Sequence, residues 1–211
     1  MAAENWTWGA PRIHGELRML GIEVSERTVS RYFPRHRPLP GALERWIQFL
    51  RNHSDTIAGM DFFTVPTVTF RVLYVWFAID HASRRILHFD VTDHPAAVWV
   101  AQQLREAFPH DSGARHLIFD RDVIFGDHVI SVASALGLRP TRTAYRSPWQ
   151  NGLAERWIGS ARRELLDHVV VFNERHLRRL VGEFVAYYHD DRTHYAPEKE
   201  NSGQSPSLGV T

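Results

Sequence analysis

Apolar residues recur along this chain with two different periods, and the change of period divides it into regions. Before residue 53, apolar positions are spaced three or four apart, as in amphipathic helices. The middle of the chain carries short runs of aromatic and β-branched residues, which are typical of strands. The runs predict strands over 57–65, 70–79, 85–91, 116–119 and 138–143, and the helical patterns predict helices over 95–108, 129–136, 149–168 and 174–188. Three strands followed by alternating helices and strands indicate an α/β domain with a sheet of about five strands covered by helices.

Two short helices are predicted at the start of the chain, over residues 12–20 and 26–32. Gly21 ends the first helix, and Ser25 is a good N-cap for the second. Two helices joined by a tight turn are a candidate helix-turn-helix, whose second helix would enter a major groove of DNA. The residues of that helix that would contact DNA are Arg27, Thr28 and Arg31. A helical hairpin that packs on a neighbouring element explains the same spacing.

Proline and glycine separate this helical region from the rest of the chain. Residues 34–41 contain three prolines and a glycine, which favour an extended linker, and one short helix is predicted over 46–52. The end of the chain is polar and rich in serine, glycine and proline, as in disordered termini. We therefore expect a helix-turn-helix segment over 1–33, a linker with a short helix over 34–53, the main domain over 54–196 and a disordered tail over 197–211.

Composition excludes several classes of protein. The chain has no cysteines, which excludes disulfide frameworks, thiolate metal sites and a cysteine nucleophile, and fits a reducing cytosol. The sequence shows no signal peptide, and its longest apolar run, over 72–79, is far too short to span a membrane. We therefore expect a cytoplasmic protein without a membrane partner. Only one of the 25 basic residues is a lysine; the others are arginines, whose planar fork suits phosphate oxygens.

Charge is unevenly distributed, although the net charge is only +1. Residues 1–52 carry eight Arg against five Glu (+3), residues 61–138 carry six Arg against nine acidic residues (−3), and residues 139–163 carry six Arg against one Glu (+5). An acidic centre between basic segments suits a protein that concentrates cations at its centre and holds DNA on either side. Chance variation in an arginine-rich composition explains the same pattern.

Three carboxylates stand where a charge is costly or where ligands commonly bind. Asp61 lies between apolar neighbours in the first predicted strand, and Asp120 follows the fourth, at the carboxyl end where α/β sheets bind ligands. Glu155 lies at the edge of the apolar stripe of a long predicted helix. Each has an ordinary alternative: a solvated strand face for Asp61, a turn or cap for Asp120, and a surface row for Glu155. Asp122 competes with Asp120 for the same role.

Glu155 shares one row of its helix with Asn151, Gly159 and Arg162. This row suits a phosphodiester, because Asn151 offers an amide, Gly159 allows the backbone to come close, and Arg162 neutralises a phosphate. Three carboxylates suit phosphodiester hydrolysis and transfer, in which two Mg²⁺ or Mn²⁺ ions about 3.5–4 Å apart activate the nucleophile and stabilise the leaving oxygen. These hard cations prefer carboxylate oxygens.

Two segments resemble the catalytic motifs of the DDE family, the insertion-sequence transposases and retroviral-type integrases. Residues 117–125, in which Asp120 precedes Phe125, resemble the motif of the second aspartate, and residues 146–156 resemble the glutamate motif. Between Asp120 and Glu155 lie 34 residues, which is close to the family's usual gap. Asp61 matches the first acidic position, and residues 8–29 resemble the helix-turn-helix that precedes the core in this family.

This resemblance implies a ribonuclease H-like fold, with two aspartates on neighbouring strands and the glutamate on an adjacent helix. It selects Asp120 over Asp122 and assigns Asp61, Asp120 and Glu155 as catalytic residues that hold two Mg²⁺ or Mn²⁺ ions. It also implies cleavage and strand transfer on double-stranded DNA, at element ends and target, by a homo-oligomer associated with the nucleoid. The DNA contacts that follow from it are Asn151, Arg156, Arg162, Arg163 and Arg146 in the core, and Arg27, Thr28 and Arg31 in the helix-turn-helix.

Two other functions stay open at this point. A catalytically silent, truncated transposase remnant, which binds DNA or interferes with a full-length transposase, is suggested by the short sequence before the helix-turn-helix. The tail over residues 200–206 also departs from the family pattern. A non-transposing nuclease of the same fold would use the same three carboxylates.

Overall fold

The computed structural model describes residues 10–32, 41–110, 112–145 and 147–195. The chain divides into two compact units, Met1–Trp46 and Ile47–Thr211. The boundary falls within helix α3 (Ala42–His53), which is longer than the helix predicted over 46–52. The predicted linker over 34–41, apart from Gly41, and the predicted tail over 197–211 lie outside the described residues.

The first unit contains the two helices predicted at the start of the chain, α1 (Ala10–Met19) and α2 (Glu26–Tyr32). Gly21 follows α1 with a φ of 75°, a left-handed conformation that suits glycine and ends the helix. The Ser25 hydroxyl accepts a hydrogen bond from the Thr28 backbone N–H at 3.1 Å, so that Ser25 is the N-cap. Ile13 of α1 and Val29 of α2 are buried.

The second unit is built on a mixed sheet of five strands in the order β3-β2-β1-β4-β5. The first three strands form an antiparallel meander, whereas β4 and β5 run parallel to β1. The strands are β1 (Ile57–Pro66), β2 (Val72–Asp80), β3 (Ile86–Thr92), β4 (His116–Phe119) and β5 (Arg139–Arg142). This mixed sheet confirms the fold class predicted from the sequence.

Helices cover both faces of the sheet. The helices that follow β3 are α4 (Ala97–Ala107), α5 (Asp127–Ala135), α6 (Gly152–Glu164) and α7 (Glu174–Tyr195). None of the helices in the described ranges combines the length and apolar character that a membrane-spanning segment needs.

Each face of the sheet carries its own apolar cluster, because adjacent residues of a strand point to opposite sides. Phe77 of β2 packs with Trp157 of α6 and Val181 of α7 on one face. Trp76, the preceding residue, packs with residues of α4 and α5 on the other face. The ring centroids of Phe77 and Trp157 are 4.3 Å apart. This packing holds α6 against the sheet and fixes the position of its first turn.

The long helix predicted over 149–168 is interrupted at both ends, so the prediction of one continuous helix was wrong there. Pro148–Asn151 and Leu166–His168 form 3₁₀ turns on either side of α6. Asn151 (φ −111°, ψ 34°) and Leu165 (φ −123°, ψ −65°) both leave the α-helical conformation. Apolar spacing does not reveal these breaks, because the 3₁₀ turns keep nearly the same period as the helix.

Two other boundaries differ from the sequence prediction. β2 begins at Val72 rather than at residue 70, since Phe70 has a φ of 60° and lies in the turn between β1 and β2. The Thr67 hydroxyl, just after β1, accepts a hydrogen bond from the Arg71 N–H at 3.0 Å and stabilises this turn. The last helix, α7, continues past residue 188 to Tyr195.

We expect Trp157→Ala to lower the free energy of unfolding by about 3–5 kcal/mol, because it removes a buried aromatic side chain and leaves a cavity. Trp157→Phe should cost less, since a ring remains against Phe77 and the buried indole N–H of Trp157 has no hydrogen-bond partner to lose. Urea unfolding measures both changes. Val123→Ala, at a side chain 93% exposed, is the control. A destabilisation by Trp157→Ala as small as that of the control would contradict the packing.

Candidate active site

The parallel pairing of β1 with β4 places Asp61 and Asp120 side by side. Gly59 is the register partner of Ile118, and the two aspartates each lie two residues beyond this pair. Since side chains two apart share a face of the sheet, both carboxylates are directed to the same side. The position predicted for Asp120, directly after β4, is the carboxyl end of a parallel strand.

Glu155 lies in the first turn of α6 and lines the same cleft as the two aspartates. The cleft has a volume of about 380 Å³. Its walls are formed by Asp61, Asp120, Arg121, Asp122, Thr143, Ala144, Tyr145, Ser147, Asn151 and Glu155. The three carboxylates predicted from the sequence therefore face one cavity. Within the described ranges, no three His, Asp or Glu side chains stand close enough to form a preassembled metal cluster.

Asp61 is the most perturbed carboxylate of the cleft. Its pKa is raised from 3.8 to about 7, mainly by burial and also by the charges of Asp120, Glu155 and Asp122, although the hydrogen bond from the backbone N–H of Phe62 lowers it. That N–H donates to Oδ1 of Asp61 at 2.8 Å, and the Asn151 amide donates to Oδ2 at 3.3 Å. A partly buried carboxylate among other carboxylates favours the binding of a cation.

Asp120 and Asp122 are distinguished by their hydrogen bonds. Oδ1 of Asp120 accepts from the backbone N–H of Asp122 at 2.9 Å, and burial is the main cause that raises the pKa of Asp120. Asp122 is exposed, and its Oδ1 accepts from the N–H of Ile124 at 3.0 Å, within the turn after β4. Asp120 is thus the more buried of the two, whereas Asp122 also stabilises the turn.

Two polar side chains that sequence analysis did not single out hold the loop that lines the cleft after β5. Arg121 donates from Nε to the carbonyl of Thr143 at 2.9 Å, and Gln150 accepts from the backbone N–H of Ala144. These contacts connect the loop both to the end of β4 and to the 3₁₀ turn before α6. Neither residue carries a sequence signal, because both bind backbone groups, which every residue type provides.

The predicted DNA-contacting residues fall into three groups. Arg156, Arg162 and Arg163 are exposed on α6, and Arg27, Thr28 and Arg31 are exposed on α2 in the first unit. Asn151 is buried, and its amide donates to the carbonyl of Met60 at 3.1 Å. Its amide thus has a partner within the protein, and a contact of Asn151 with DNA stays a prediction. Arg146 lies outside the described residues.

Comparison with known proteins identifies related sequence in part of this chain and related folds among solved structures. Residues 136–199, which include Glu155, match the family described as "Integrase core domain". This stretch is therefore similar to integrase-core sequence. The resemblance drawn from the motifs is thereby confirmed, although the matched residues do not reach Asp61 or Asp120. No curated protein matches the chain.

Solved structures with the same fold include viral and transposon proteins. The catalytic domain of Mos1 mariner transposase is 14% identical over 72% of this chain and 85% of its own, with a TM-score of 0.58. The same domain with Raltegravir and Mn is 13% identical over 68% and 77%, with a TM-score of 0.57. A chain of the simian T-cell lymphotropic virus intasome with PP2A regulatory subunit B56 gamma is 14% identical over 74% of this chain, with a TM-score of 0.52.

The present chain spans 60% of the length of that intasome chain. The agreement with these structures lies in the architecture, and it establishes the ribonuclease H-like fold. Because the sequence identity is low, it shows the fold alone.

Asp61 makes stability depend on pH in the absence of divalent ions. Because its pKa in the folded protein lies above 3.8, the folded chain binds more protons than the unfolded chain between about pH 4 and 7, and stability falls as the pH rises through that window. We compare the free energy of unfolding of Asp61→Asn with that of the parent at both ends of this window. From the lower to the higher pH, we expect the difference to shift in favour of Asp61→Asn by roughly 2–4 kcal/mol, at about 1.36 kcal/mol per pKa unit.

Urea unfolding with a chelator at both ends of the window measures this difference. Asp122→Asn, which removes an exposed carboxylate from the same cleft, is the matched control and should show a much smaller change. A difference between Asp61→Asn and the parent that is independent of pH would contradict the raised pKa.

Proposed function

We propose that this protein is a DDE-type enzyme that cleaves and joins DNA, with Asp61, Asp120 and Glu155 as its catalytic carboxylates. The observation that supports this most is the parallel register of β1 and β4, which brings the two aspartates to one level of the sheet, facing the cleft that Glu155 also lines. The fold and the integrase-core sequence that contains Glu155 agree with this function.

The donor set of the cleft fits Mg²⁺ or Mn²⁺. All three candidate ligands are carboxylates, which these cations prefer, and the raised pKa of Asp61 reflects burial and negative charge that a cation would offset. Solved structures of the Mos1 catalytic domain are described with Mn and with Mg. We propose two ions, which when bound would activate the attacking oxygen and stabilise the leaving oxygen of a phosphodiester.

The protein's own residues would hold the reacting groups in place. Asp61, Asp120 and Glu155 bind the ions, while Arg121 and Gln150 keep the loop after β5 at the edge of the cleft. Arg156, Arg162 and Arg163 of α6, together with Arg146, would contact the phosphates of double-stranded DNA. In the first unit, α2 would present Arg27, Thr28 and Arg31 to a major groove.

Joining of two element ends to a target requires more than one active site, so we propose a homo-oligomer assembled on DNA. One neighbour in fold comes from a structure described as an intasome. For this chain we propose a location in the cytoplasm, at the nucleoid.

The carboxylates are tested by metal-dependent turnover. With Mn²⁺ or Mg²⁺, we expect the parent to nick supercoiled plasmid and to join oligonucleotides that carry the element's ends into a target plasmid. Asp120→Asn and Glu155→Gln should each lower the rate at least about a hundredfold, because each removes a ligand that acts in the transition state. Asp122→Asn is the matched control and should keep most of the activity. Full activity of Asp120→Asn would overturn the proposal.

The same assay separates the alternatives. A chain that binds DNA but gives no metal-dependent turnover would be the catalytically silent remnant, and nicking without joined product would indicate a non-transposing nuclease.

The arginines of α6 are tested by the salt dependence of DNA binding. We expect Arg162→Ala with Arg163→Ala to weaken binding to duplexes of any sequence. The slope of log affinity against log salt should also become shallower by about 0.9 for each DNA phosphate that these arginines neutralise in the parent. Fluorescence anisotropy at several salt concentrations measures both quantities. Arg105→Ala, on α4 at the opposite face of the sheet, is the control. An unchanged slope in the double variant would exclude these arginines from binding phosphates.

A further inference from the structure

We propose that Asn151 is a positioning residue that connects the Asp61 carboxylate of β1 to the beginning of the Glu155 helix, and that Gly59 is glycine because the Asn151 side chain occupies the space of a Cβ there. The inference rests on the proposed function, since it assigns Asn151 the task of orienting one of the metal-binding carboxylates. It gives Asn151 a role inside the protein, in addition to the DNA contact expected from the sequence.

Asn151 is buried, with 6% of its surface exposed, and it lies in the wall of the cleft. Nδ2 donates to the carbonyl of Met60 at 3.1 Å and to Oδ2 of Asp61 at 3.3 Å. These partners are consecutive residues of β1 and lie about ninety positions away along the chain. A buried amide with two specific acceptors that are distant along the chain does more than pack against its neighbours, because it links separate parts of the fold.

The orientation of the Asn151 amide is fixed by its surroundings. Both acceptors face Nδ2, so a flipped amide would set Oδ1 against two other oxygens and break both hydrogen bonds. The second oxygen of Asp61 is held independently, because Oδ1 accepts from the backbone N–H of Phe62 at 2.8 Å. Each carboxylate oxygen thus has one donor, and lone pairs on both oxygens stay available for a cation.

Gly59 is explained by the approach of Asn151. A Cβ at this position would lie 2.9 Å from Oδ1 of Asn151 and 3.5 Å from Cγ2 of Ile79. Gly59 is not among the glycines with positive φ, so the backbone conformation does not require glycine there. Glycine is unfavourable inside a strand unless another group comes close, and the close group here is the side chain of Asn151.

The backbone at Asn151 fits the same role. Asn151 ends the 3₁₀ turn before α6, with a φ of −111° and a ψ of 34°, and Glu155 follows in the first turn of the helix. The pairing of β1 with β4 ends at Gly59 and Ile118, and the Asn151 amide reaches β1 at the next residue, Met60. One side chain therefore connects the strand of the first carboxylate to the helix of the third.

Removal of a group that orients a metal ligand typically weakens metal binding 10- to 100-fold. We therefore expect Asn151→Ala in the full chain to bind Mn²⁺ about 10- to 100-fold more weakly than the parent. Electron paramagnetic resonance of free Mn²⁺, or calorimetry, measures this affinity without DNA and without turnover. Asn173→Ala, an exposed asparagine at the start of α7, is the matched control and should leave the affinity unchanged.

A double-mutant cycle connects Asn151 to Gly59. Gly59→Ala alone should weaken Mn²⁺ binding, because the new Cβ displaces Asn151. In the Asn151→Ala background, Gly59→Ala should have little further effect, since the atom at 2.9 Å is gone and Ile79 at 3.5 Å is at ordinary contact distance. This pattern does not depend on the stability of Asn151→Ala alone, and urea unfolding without metal confirms that each variant is folded.

A role that is only structural would lower the stability of the variants and leave the Mn²⁺ affinity of the folded protein unchanged. Folded Asn151→Ala with Mn²⁺ affinity within about threefold of the parent, or additive effects of the two substitutions, would overturn the inference while the proposed function stands, provided that Asp120→Asn still abolishes binding. Mn²⁺ binding that is the same in the parent and in Asp120→Asn would overturn the proposed function and, with it, the inference.

Discussion

The parallel register between β1 and β4 is the constraint on which the rest of the core depends. It sets Asp61 and Asp120 at one level of the sheet, where burial and mutual repulsion make the charged forms costly. Such an arrangement is retained only if the surrounding structure holds it, because the carboxylates by themselves would move apart or become protonated. Backbone donors at Phe62 and Asp122 and the side chain of Asn151 supply this support.

Both apolar clusters serve this arrangement. On one face, Trp157 of α6 packs on Phe77 of β2, which fixes the distance between the helix of Glu155 and the sheet. On the other face, Leu104 and Val129 cover the central strands from α4 and α5. The site thus lies where rigid elements end and short turns begin, as is common in α/β folds.

Most of the fold could be predicted from the sequence, because the strands have strong patterns of β-branched and aromatic residues and the helices have clear apolar stripes. The order and type of the elements agree with the prediction, and so does the cleft that brings Asp61, Asp120 and Glu155 together. The preference for Asp120 over Asp122 came from a resemblance, and the hydrogen bonds of the two residues add a physical reason for it.

Other features could not be predicted, because they depend on contacts between distant parts of the chain. The helical row of Asn151 predicted a contact with DNA, which stays a prediction, but it gave no sign that the Asn151 amide contacts β1. Asn151 also lies at the break between the 3₁₀ turn and α6, which apolar spacing does not show. The later start of β2 could not be predicted either. Phe70 has a left-handed backbone conformation, and a hydrophobic pattern does not show such a conformation at a non-glycine residue.

The missing Cβ of Gly59 also restricts how this sequence can change over time. An alanine at position 59 and a large side chain at position 151 compete for one volume, so a substitution at either position alters which residues the other tolerates. We expect a sequence without the asparagine to tolerate a side chain at position 59, and a sequence that keeps it to favour glycine there. On the proposed role of Asn151, the residues at positions 59 and 151 of a related sequence would indicate whether its counterpart of Asp61 is oriented by a side chain from the helix of Glu155.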